Sequence, residues 1–429
     1  MSNSTTETID SRIPMSAASI GWSTHDRTWV LGLFATAIGA GTLFLPINAG
    51  LGGIWPLLVM AVLAFPMTYL AHRGLIRFIL SSSKPGSDIT EVVGEHFGPT
   101  AGKLITLLYF FTILPILFLY GVGLTNTVES FVTHQMGMAA LPRAPLAFVL
   151  TASLIAIVAT SEQMVVRVMG YLVYPFIFVL IGLALYLVPH WNGAVLQGGV
   201  PSAGKFSVTL WLSIPVLVFA FNHSPVISRF AVAQQQRYGT HAVRKGEQIE
   251  KYAVMMMVAV VMFFVFSCIF ALSPADLAAA KSQNISILSY LGNKFQTPVV
   301  AWVAPAVALV AMSKSFLGHY LGAREGLQGL ISQQFGSNGK KESSKTSNRL
   351  IMLFMFVSIW GVATINPSIL GMIESLCGPI IAAMLFIMPM YAIRKVPAMR
   401  KYANQPGNVL VLFIGAVAMS AIFFKLFAA

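Results

Sequence analysis

The chain has 429 residues, of which 56% are hydrophobic and only 10% are charged, and its mean hydropathy is +0.77. Soluble domains carry about 25% charged residues, so this composition excludes an ordinary soluble protein and predicts a protein surrounded by a lipid bilayer. The two cysteines, Cys268 and Cys377, both lie in apolar stretches. Their number and setting exclude a disulfide framework.

Eleven apolar stretches are each long enough to cross a bilayer, since a membrane helix needs about 20 mostly apolar residues. The polar residues 1–28 precede them and are predicted to form a flexible cytoplasmic tail without a cleavable signal peptide. The predicted spans are 29–49, 54–73, 104–126, 144–160, 164–188, 207–228, 252–272, 298–316, 350–366, 369–391 and 408–427. The sequence therefore predicts an all-α membrane protein with about 11 transmembrane helices.

Lysine and arginine residues are unevenly distributed between the two sides of the predicted membrane. Cytoplasmic loops retain these residues preferentially. With the N-terminus inside, 22 of the 27 fall on the inner side and five on the outer side. We therefore expect a cytoplasmic N-terminus, a periplasmic C-terminus and an odd number of spans. The same asymmetry explains the net charge of +13 with no need for a nucleic-acid partner.

Two of the predicted loops share a helical signal. Residues 81–103 contain an N-cap pattern beginning at Asp88, and residues 273–297 contain a similar one beginning at Ser273. These loops follow spans two and seven, which places them five spans apart and on opposite sides. That spacing is typical of transporters built from inverted repeats, although two ordinary loops could also coincide in this way.

The repeat hypothesis divides the chain and predicts which helices are broken. The first repeat would cover residues 29–188 and the second 207–391, with 408–427 as an additional span. Spans one and six would then be equivalent. Span one contains the run 38–46, with two glycines and a proline, and span six contains Phe221-Asn222-His223-Ser224-Pro225. Glycine adds backbone freedom and proline removes a donor, so both runs predict a break, whereas glycines alone could also serve close helix packing.

Paired helix breaks favour a particular kind of ligand. Broken backbone is tolerated at membrane depth only where it is buried in protein or lines a cavity. Free N–H groups at the start of a half-helix can hold a carboxylate, and free C=O groups can hold an ammonium group. A molecule that carries both charges close together is an amino acid.

Several motifs closely resemble the hydroxy/aromatic amino acid permease family, and within it the bacterial serine/proton symporters. The matching segments are 37–41, 221–225, 284–288, 314–320 and 364–371. The resemblance implies a leucine-transporter-type fold with a 5+5 inverted repeat plus one helix, in the inner membrane. It further implies import of L-serine with a proton. A threonine/serine permease or another small amino acid symporter, with or without assistance from sodium, is the alternative.

The two breaks supply the predicted substrate site. We expect the carboxylate at the backbone amides around Gly39, Ala40, Gly41 and Thr42, where glycine lets a ligand approach the main chain. The ammonium group would lie near the carbonyls of Phe221 and Asn222. The candidates to bind a serine hydroxyl are Asn222, His223 and Ser224, with Tyr109, Tyr120 and Asn126 of span three as further possible contributors.

Three ionisable residues at membrane depth are candidates for proton coupling. Burying such residues in a bilayer costs free energy, so their presence there indicates a function. His223 lies in the span-six break, and an imidazole titrates near physiological pH. Glu374 lies early in span ten, where it could take a proton from outside or form an outer gate. Lys314 lies in span eight, where sodium-coupled relatives of the fold bind sodium. Its ammonium group could replace that sodium, or it could extend to the lipid headgroups.

Other function classes fit the sequence less well. A channel favours subunit symmetry and a continuous polar path, whereas this chain carries one internal repeat and one central polar cluster. An enzyme would need a nucleophile–base set or a metal cluster, and neither HExxH nor Gly-x-Ser-x-Gly is present. A sensor would need a signalling domain. We therefore expect a carrier that is not an enzyme and needs no cofactor, metal or obligate protein partner.

Overall fold

The structure, a computed structural model, describes residues 21–160, 162–295, 297–335 and 345–428, without the side chains of 160–173, 333–345 and 425–428. This part of the chain is helical and contains no strand. The first repeat region holds α1 (Thr24–Ala37), α2 (Ala40–Gly52), α3 (Ile54–Ile79), α4 (Ile89–His134), α5 (Arg143–Thr160) and α6 (Glu162–Leu187). Then follow α7 (Ala203–Ala220), α8 (Ser224–Tyr238), α9 (Ala242–Ala271), α10 (Pro274–Ser282), α11 (Ile287–Lys294), α12 (Pro298–Phe335), α13 (Lys345–Ile365), α14 (Ile369–Lys395) and α15 (Gly407–Ala428).

Each of the eleven predicted spans coincides with a helical segment of the structure. Among the described residues, eight helices are long and apolar enough to cross a membrane, and the bent pair α1 and α2 makes a ninth. Two shorter apolar helices, Arg143–Ala159 and Tyr174–His190, coincide with the fourth and fifth predicted spans. The all-helical class is confirmed, while eleven crossings stays a prediction.

The first helix begins earlier than the sequence predicts. Residues 1–20 lie outside the described part, but α1 starts at Thr24, so the predicted tail boundary at residue 28 is wrong. Ser23 caps this helix in a capping box with Asp26. Asp26 is fully buried, and its carboxylate accepts a hydrogen bond of 2.9 Å from Lys245 of α9, which balances the buried charge. This cap and ion pair fix the start of α1, which a hydropathy pattern does not reveal.

Both predicted breaks are present. The helix axis turns by 55° between α1 and α2, which are separated only by Ile38 and Gly39. In span six, α7 ends at Ala220 and α8 begins at Ser224, with Phe221–His223 between them. Each break therefore leaves a helix end inside the protein.

The two predicted loop helices are confirmed, each with a capping box. Asp88 caps the start of α4, whose first segment is separated from the rest by Gly98 at φ +80°. Ser273 caps α10 in the same way. The backbone N–H of Ile89 donates to Ser228 Oγ of α8 at 3.1 Å, and the side chain of Leu277 packs directly against Gly50 of α2. Each loop helix thus contacts the second half of the other repeat's broken span.

Helix α14 is not a regular α-helix. It contains two π-helical turns, at Ile373–Cys377 and Ala383–Ile387. Such turns carry one additional residue and are frequent at functional sites. Glu374 lies in the first of them.

Candidate functional site

The two helix breaks lie directly against each other. A Cβ atom added at Gly41 would lie 2.5 Å from the Cα of Ala220 and 3.0 Å from the carbonyl oxygen of Phe219. Real side chains do not approach backbone this closely, so glycine is needed where the first turn of α2 meets the end of α7. This contact brings the predicted carboxylate and ammonium sites into one region.

Spans three and eight close the other side of the first break. A Cβ atom at Gly39 would lie 2.5 Å from the Tyr120 hydroxyl and 2.6 Å from Ser315 Oγ. These two hydroxyls are hydrogen-bonded to each other at 2.7 Å. Ser315 Oγ also donates to the carbonyl of Thr36 at 3.0 Å, which satisfies one acceptor that the break leaves free.

Three of the predicted substrate residues hold buried polar atoms that have no hydrogen-bond partner among the described residues. These atoms are Thr42 Oγ1, Asn222 Nδ2 and Ser224 Oγ. Most buried polar groups in folded proteins are paired. Asn222 is held in position because its Oδ1 accepts the backbone N–H of Ser224 at 3.2 Å. A polar ligand between the breaks would supply the missing partners.

Only one of the three polar residues considered in span three reaches the breaks. Tyr120 does so through its contact with Gly39. Tyr109 instead packs beside Gly326 of α12. Asn126 joins a group of three asparagines, defined here as the asparagine clasp: its amide donates to the Asn284 carbonyl at 2.7 Å and to Asn366 Oδ1 at 3.2 Å.

His223 lies in the span-six break, and its side chain belongs to a fully buried cluster with His72 of α3 and Glu250 of α9. Its Nε2 lies 2.9 Å from Glu250 Oε1. The two imidazole rings stack at a centroid distance of 3.6 Å with an interplanar angle of 1°. The backbone N–H of His223 donates to His72 Nε2 at 3.2 Å. The break in span six is therefore bonded to the neighbouring helices of spans two and seven.

The partners of the ring nitrogens determine where the protons lie, because a carbonyl only accepts. His72 accepts at Nε2, so its proton is on Nδ1, 2.9 Å from the Thr68 carbonyl. His223 Nδ1 lies 3.0 Å from the Phe221 carbonyl and therefore also carries a proton. One further proton is needed between His223 Nε2 and Glu250 Oε1.

This cluster is a poor metal site despite its composition. Its three potential ligand atoms lie within 4.8 Å of one another. A metal is bound along the lone pair in the plane of each imidazole at about 2.0–2.1 Å. Two parallel rings stacked at 3.6 Å direct their lone pairs in separate planes and do not converge on one ion. The geometry suits a proton rather than a metal.

Lys314 is completely buried and does not extend to the surface. Its ammonium nitrogen lies 4.7 Å above the ring of Phe176 in α6, and it has no hydrogen-bond partner among the described residues. The next residue, Ser315, contacts the carbonyl of Thr36 beside the first break. The lysine therefore lies one residue from the contact between span eight and span one.

Glu374 lies away from both groups. Its carboxylate accepts a hydrogen bond of 3.1 Å from Asn48 of α2. Asn48 is eight residues after Ala40, which corresponds to about 12 Å along the helix. The structure thus places the three proton candidates in separate surroundings, with Glu374 bridging span one and span ten.

The sequence reasoning missed His72 and Glu250. Residues 229–251 lie between the predicted spans six and seven, whereas α9 already begins at Ala242. Helical periodicity contains the signal, because Ile249, Ala253 and Met257 lie on one buried face of α9 and Glu250 is next to them. A carboxylate on such a face indicates a specific partner.

The fold and the facing breaks define a secondary membrane transporter. A model of the tryptophan/tyrosine permease family matches residues 29–425, and the chain belongs to this family. It is 58% identical to the serine transporter SdaC of Escherichia coli (strain K12) over 432 residues, and 57% identical to SdaC of Shigella flexneri, with both chains covered completely.

Among solved structures, the chain resembles the crystal structure of MhsT in complex with L-phenylalanine. The TM-score is 0.59 at 15% sequence identity, covering 95% of this chain and 99% of the other. This similarity confirms the leucine-transporter-type fold. Together with the transporter relatives, it confirms that the protein is not an enzyme.

Proposed function

We propose that the protein imports L-serine across the inner (cytoplasmic) membrane together with a proton. The observation that carries this proposal is the pair of facing breaks with the unpaired buried atoms of Thr42, Asn222 and Ser224. The full-length similarity to the serine transporters SdaC supports serine as the substrate. The family membership supports an amino acid as the ligand class.

The substrate lies between the two breaks in this proposal. Its carboxylate accepts hydrogen bonds from the backbone amides at the start of α2, where the helix dipole also favours negative charge. Gly39 and Gly41 allow the main chain to be approached. The ammonium group binds the carbonyls of Phe221 and Asn222, and the hydroxyl pairs with Asn222 or Ser224.

Transport proceeds by alternating access. The N-terminus is cytoplasmic and the C-terminus periplasmic, as the lysine and arginine distribution predicts. Spans one, two, six and seven form a bundle that rocks against the remaining helices, with the site first open outward and then inward. Proton and substrate stabilise the same state, because coupling between two ligands is reciprocal.

The experiment is uptake of labelled L-serine into proteoliposomes that contain the purified protein. We expect uptake that depends on an inward proton gradient, is unchanged by sodium, and resists competition by threonine and tryptophan. Empty liposomes and liposomes without a gradient are the controls.

Two results would alter the proposal in different ways. Uptake driven by sodium would show that sodium, and not a proton, is the coupling ion, and serine would remain the substrate. Transport of threonine or an aromatic amino acid without serine uptake would show that serine is not the substrate. A single methyl group separates serine from threonine, and a pocket discriminates a methylene by only about 1–3 kcal/mol.

A further inference from the structure

We propose that the transported proton is held between His223 Nε2 and Glu250 Oε1, with His72 as the residue that positions the imidazole. This inference rests on the proposed function and names the binding site of its coupling ion. The two atoms are 2.9 Å apart and completely buried. The Nδ1 atoms of both histidines face carbonyls and His72 Nε2 accepts the backbone N–H of His223, so this is the position in the cluster where a proton can be gained or lost.

The charge of the cluster explains how proton binding selects a conformation. With the proton in place, the two histidines and the glutamate together are neutral, either as a neutral pair or as an imidazolium and a carboxylate. Without it, a carboxylate faces the lone pair of His223 Nε2 and the cluster carries one negative charge. Burying an unpaired charge is costly. Glu250 Oε2 has no hydrogen-bond partner among the described residues, so nothing there compensates the charge. The observed arrangement is therefore that of the loaded site.

The cluster is bonded directly to the proposed substrate site. His223 Nδ1 donates to the Phe221 carbonyl at 3.0 Å, and that carbonyl lies at the break that receives the ammonium group. The backbone N–H of His223 is held by His72 at 3.2 Å. Loss of the proton separates His223 from Glu250 and so changes the backbone at the break. Substrate and proton are coupled through one residue.

The three members of the cluster are completely buried, and the hydrogen bonds of their side chains run to one another and to backbone groups. Two other charged residues on the same helix have partners of their own. Lys245 pairs with Asp26 of α1 at 2.9 Å, and Glu247 pairs with Arg77 of α3 at 2.6 Å. Lys245 and Glu247 are therefore paired with residues of other helices and not with the cluster.

Glu250→Gln tests the proposal, because the amide can donate permanently to His223 Nε2 and imitates the loaded state. Wild type and variant are compared for accumulation of labelled serine driven by a proton gradient, and for exchange of serine between equal concentrations on both sides. We expect the variant to lose accumulation while exchange continues and no longer depends on pH. Glu247→Gln is the matched control on the same helix, since Glu247 is paired at the partly exposed end of α9, and we expect it to keep both activities.

The outcomes separate this proposal from the proposed function. Accumulation at the wild-type level in Glu250→Gln overturns the proton site, and so does loss of both activities in a protein that melts like wild type. Absence of serine exchange in wild type instead overturns the proposed function. If Glu250→Gln does not fold, Glu250→Asp decides. It retracts the acid by one methylene, so a shifted pH profile of uptake is expected, and an unchanged profile overturns the proposal.

Discussion

A single methyl group separates Gly39 from alanine, and the site has no room for it. The tyrosine and serine hydroxyls beside Gly39 are held by each other and by the Thr36 carbonyl, so neither can withdraw freely. Overpacking of this kind costs about 1–3 kcal/mol. We expect Gly39→Ala to widen the break and abolish serine uptake in proteoliposomes.

Gly32→Ala is the matched control, because Gly32 lies in α1 shortly before the break and a Cβ there meets nothing within 4 Å. We expect uptake at the wild-type level. Equal loss in both variants would mean that α1 tolerates no change at all, and that the close approach at Gly39 has no special role.

Lys314 offers a second prediction for a single residue. If its buried ammonium group replaces a sodium ion between spans eight and one, removing the charge destabilises the contact near Thr36. We expect Lys314→Ala to abolish proton-driven uptake, and Lys314→Met, which keeps most of the volume, to do the same. Lys205→Met at an exposed position should leave uptake unchanged. Near-normal uptake by Lys314→Met would contradict a role for the charge.

The sequence predicts single residues unevenly. Gly39 and Gly41 are predictable because glycine in an apolar run has few explanations. The contacts of His223 with His72 and Glu250 cannot be predicted in this way. His72 is 151 residues away in the chain and Glu250 is 27 residues away, so the contacts depend on how three helices pack. Periodicity places Glu250 on a buried face but does not name its partner.

At the scale of elements, the asparagine clasp ties together two motifs that are far apart in the sequence. Asn284 and Asn366 both adopt left-handed backbone, with φ of 54° and 58°. The amide of Asn284 donates to Asn366 Oδ1 and to the Pro367 carbonyl, both at 3.0 Å, and its Oδ1 accepts the N–H of Ile369 at 2.9 Å. The clasp holds the turn before α14 against the segment between α10 and α11.

Substitutions at Asn366 can separate the two contributions to the clasp. Asn366→Gly loses the side-chain hydrogen bonds but adopts the backbone freely, whereas Asn366→Ala also meets the left-handed penalty of about 1–2 kcal/mol. We expect both variants to unfold at lower temperature than wild type in detergent, and alanine to be the less stable. Equal stability of the two would show that the backbone conformation relaxes.

The cap of α10 predicts a pH dependence of stability. Burial raises the pKa of Asp276, but the hydrogen bonds from Lys294 and Ser273 outweigh it and hold that pKa well below its usual range. A lowered carboxyl pKa contributes stability above about pH 4, which is lost as the pH falls further. We expect Asp276→Asn to be less stable than wild type at neutral pH and the difference to shrink in acid. Parallel melting curves at all pH values would contradict this contribution.

Element types were easier to predict than their irregularities. The capping signals at Asp88 and Ser273 indicate helices because side-chain caps act locally. The π-helical turns of α14 carry no such local signal, since they arise where an additional residue is accommodated by tertiary packing. The sequence therefore predicts the helix on which Glu374 lies but does not predict its contact with Asn48.

At the scale of the molecule, the loop helices exchange contacts between the repeats. The helix after span two lies on α8, and the helix after span seven lies on α2, as a two-fold relation between repeats requires. Hydropathy and cap signals predict both loop helices and their spacing of five spans, whereas the contacts that these helices make are seen only in the structure. The repeat boundaries at 29–188 and 207–391 stay predictions.

Membrane orientation can be tested with reporter fusions. The lysine and arginine asymmetry predicts that a fusion after Ala429 is periplasmic and one after Gln405 is cytoplasmic. We expect alkaline phosphatase to be active in the first and inactive in the second, and green fluorescent protein to behave in the opposite way. The same reporter signal at both positions would contradict α15 as a separate span.

If the buried group of His72, His223 and Glu250 holds the transported proton, as proposed, it also determines which step of transport responds to the membrane potential. A zwitterionic amino acid and a neutral cluster cross without moving net charge, so the loaded carrier is electrically silent. The empty carrier returns with one negative charge, which an inside-negative potential drives outward at about 2.3 kcal/mol per 100 mV. Voltage should therefore raise the maximal rate more than the apparent affinity. Each proton carried lets 100 mV support a roughly 50-fold accumulation.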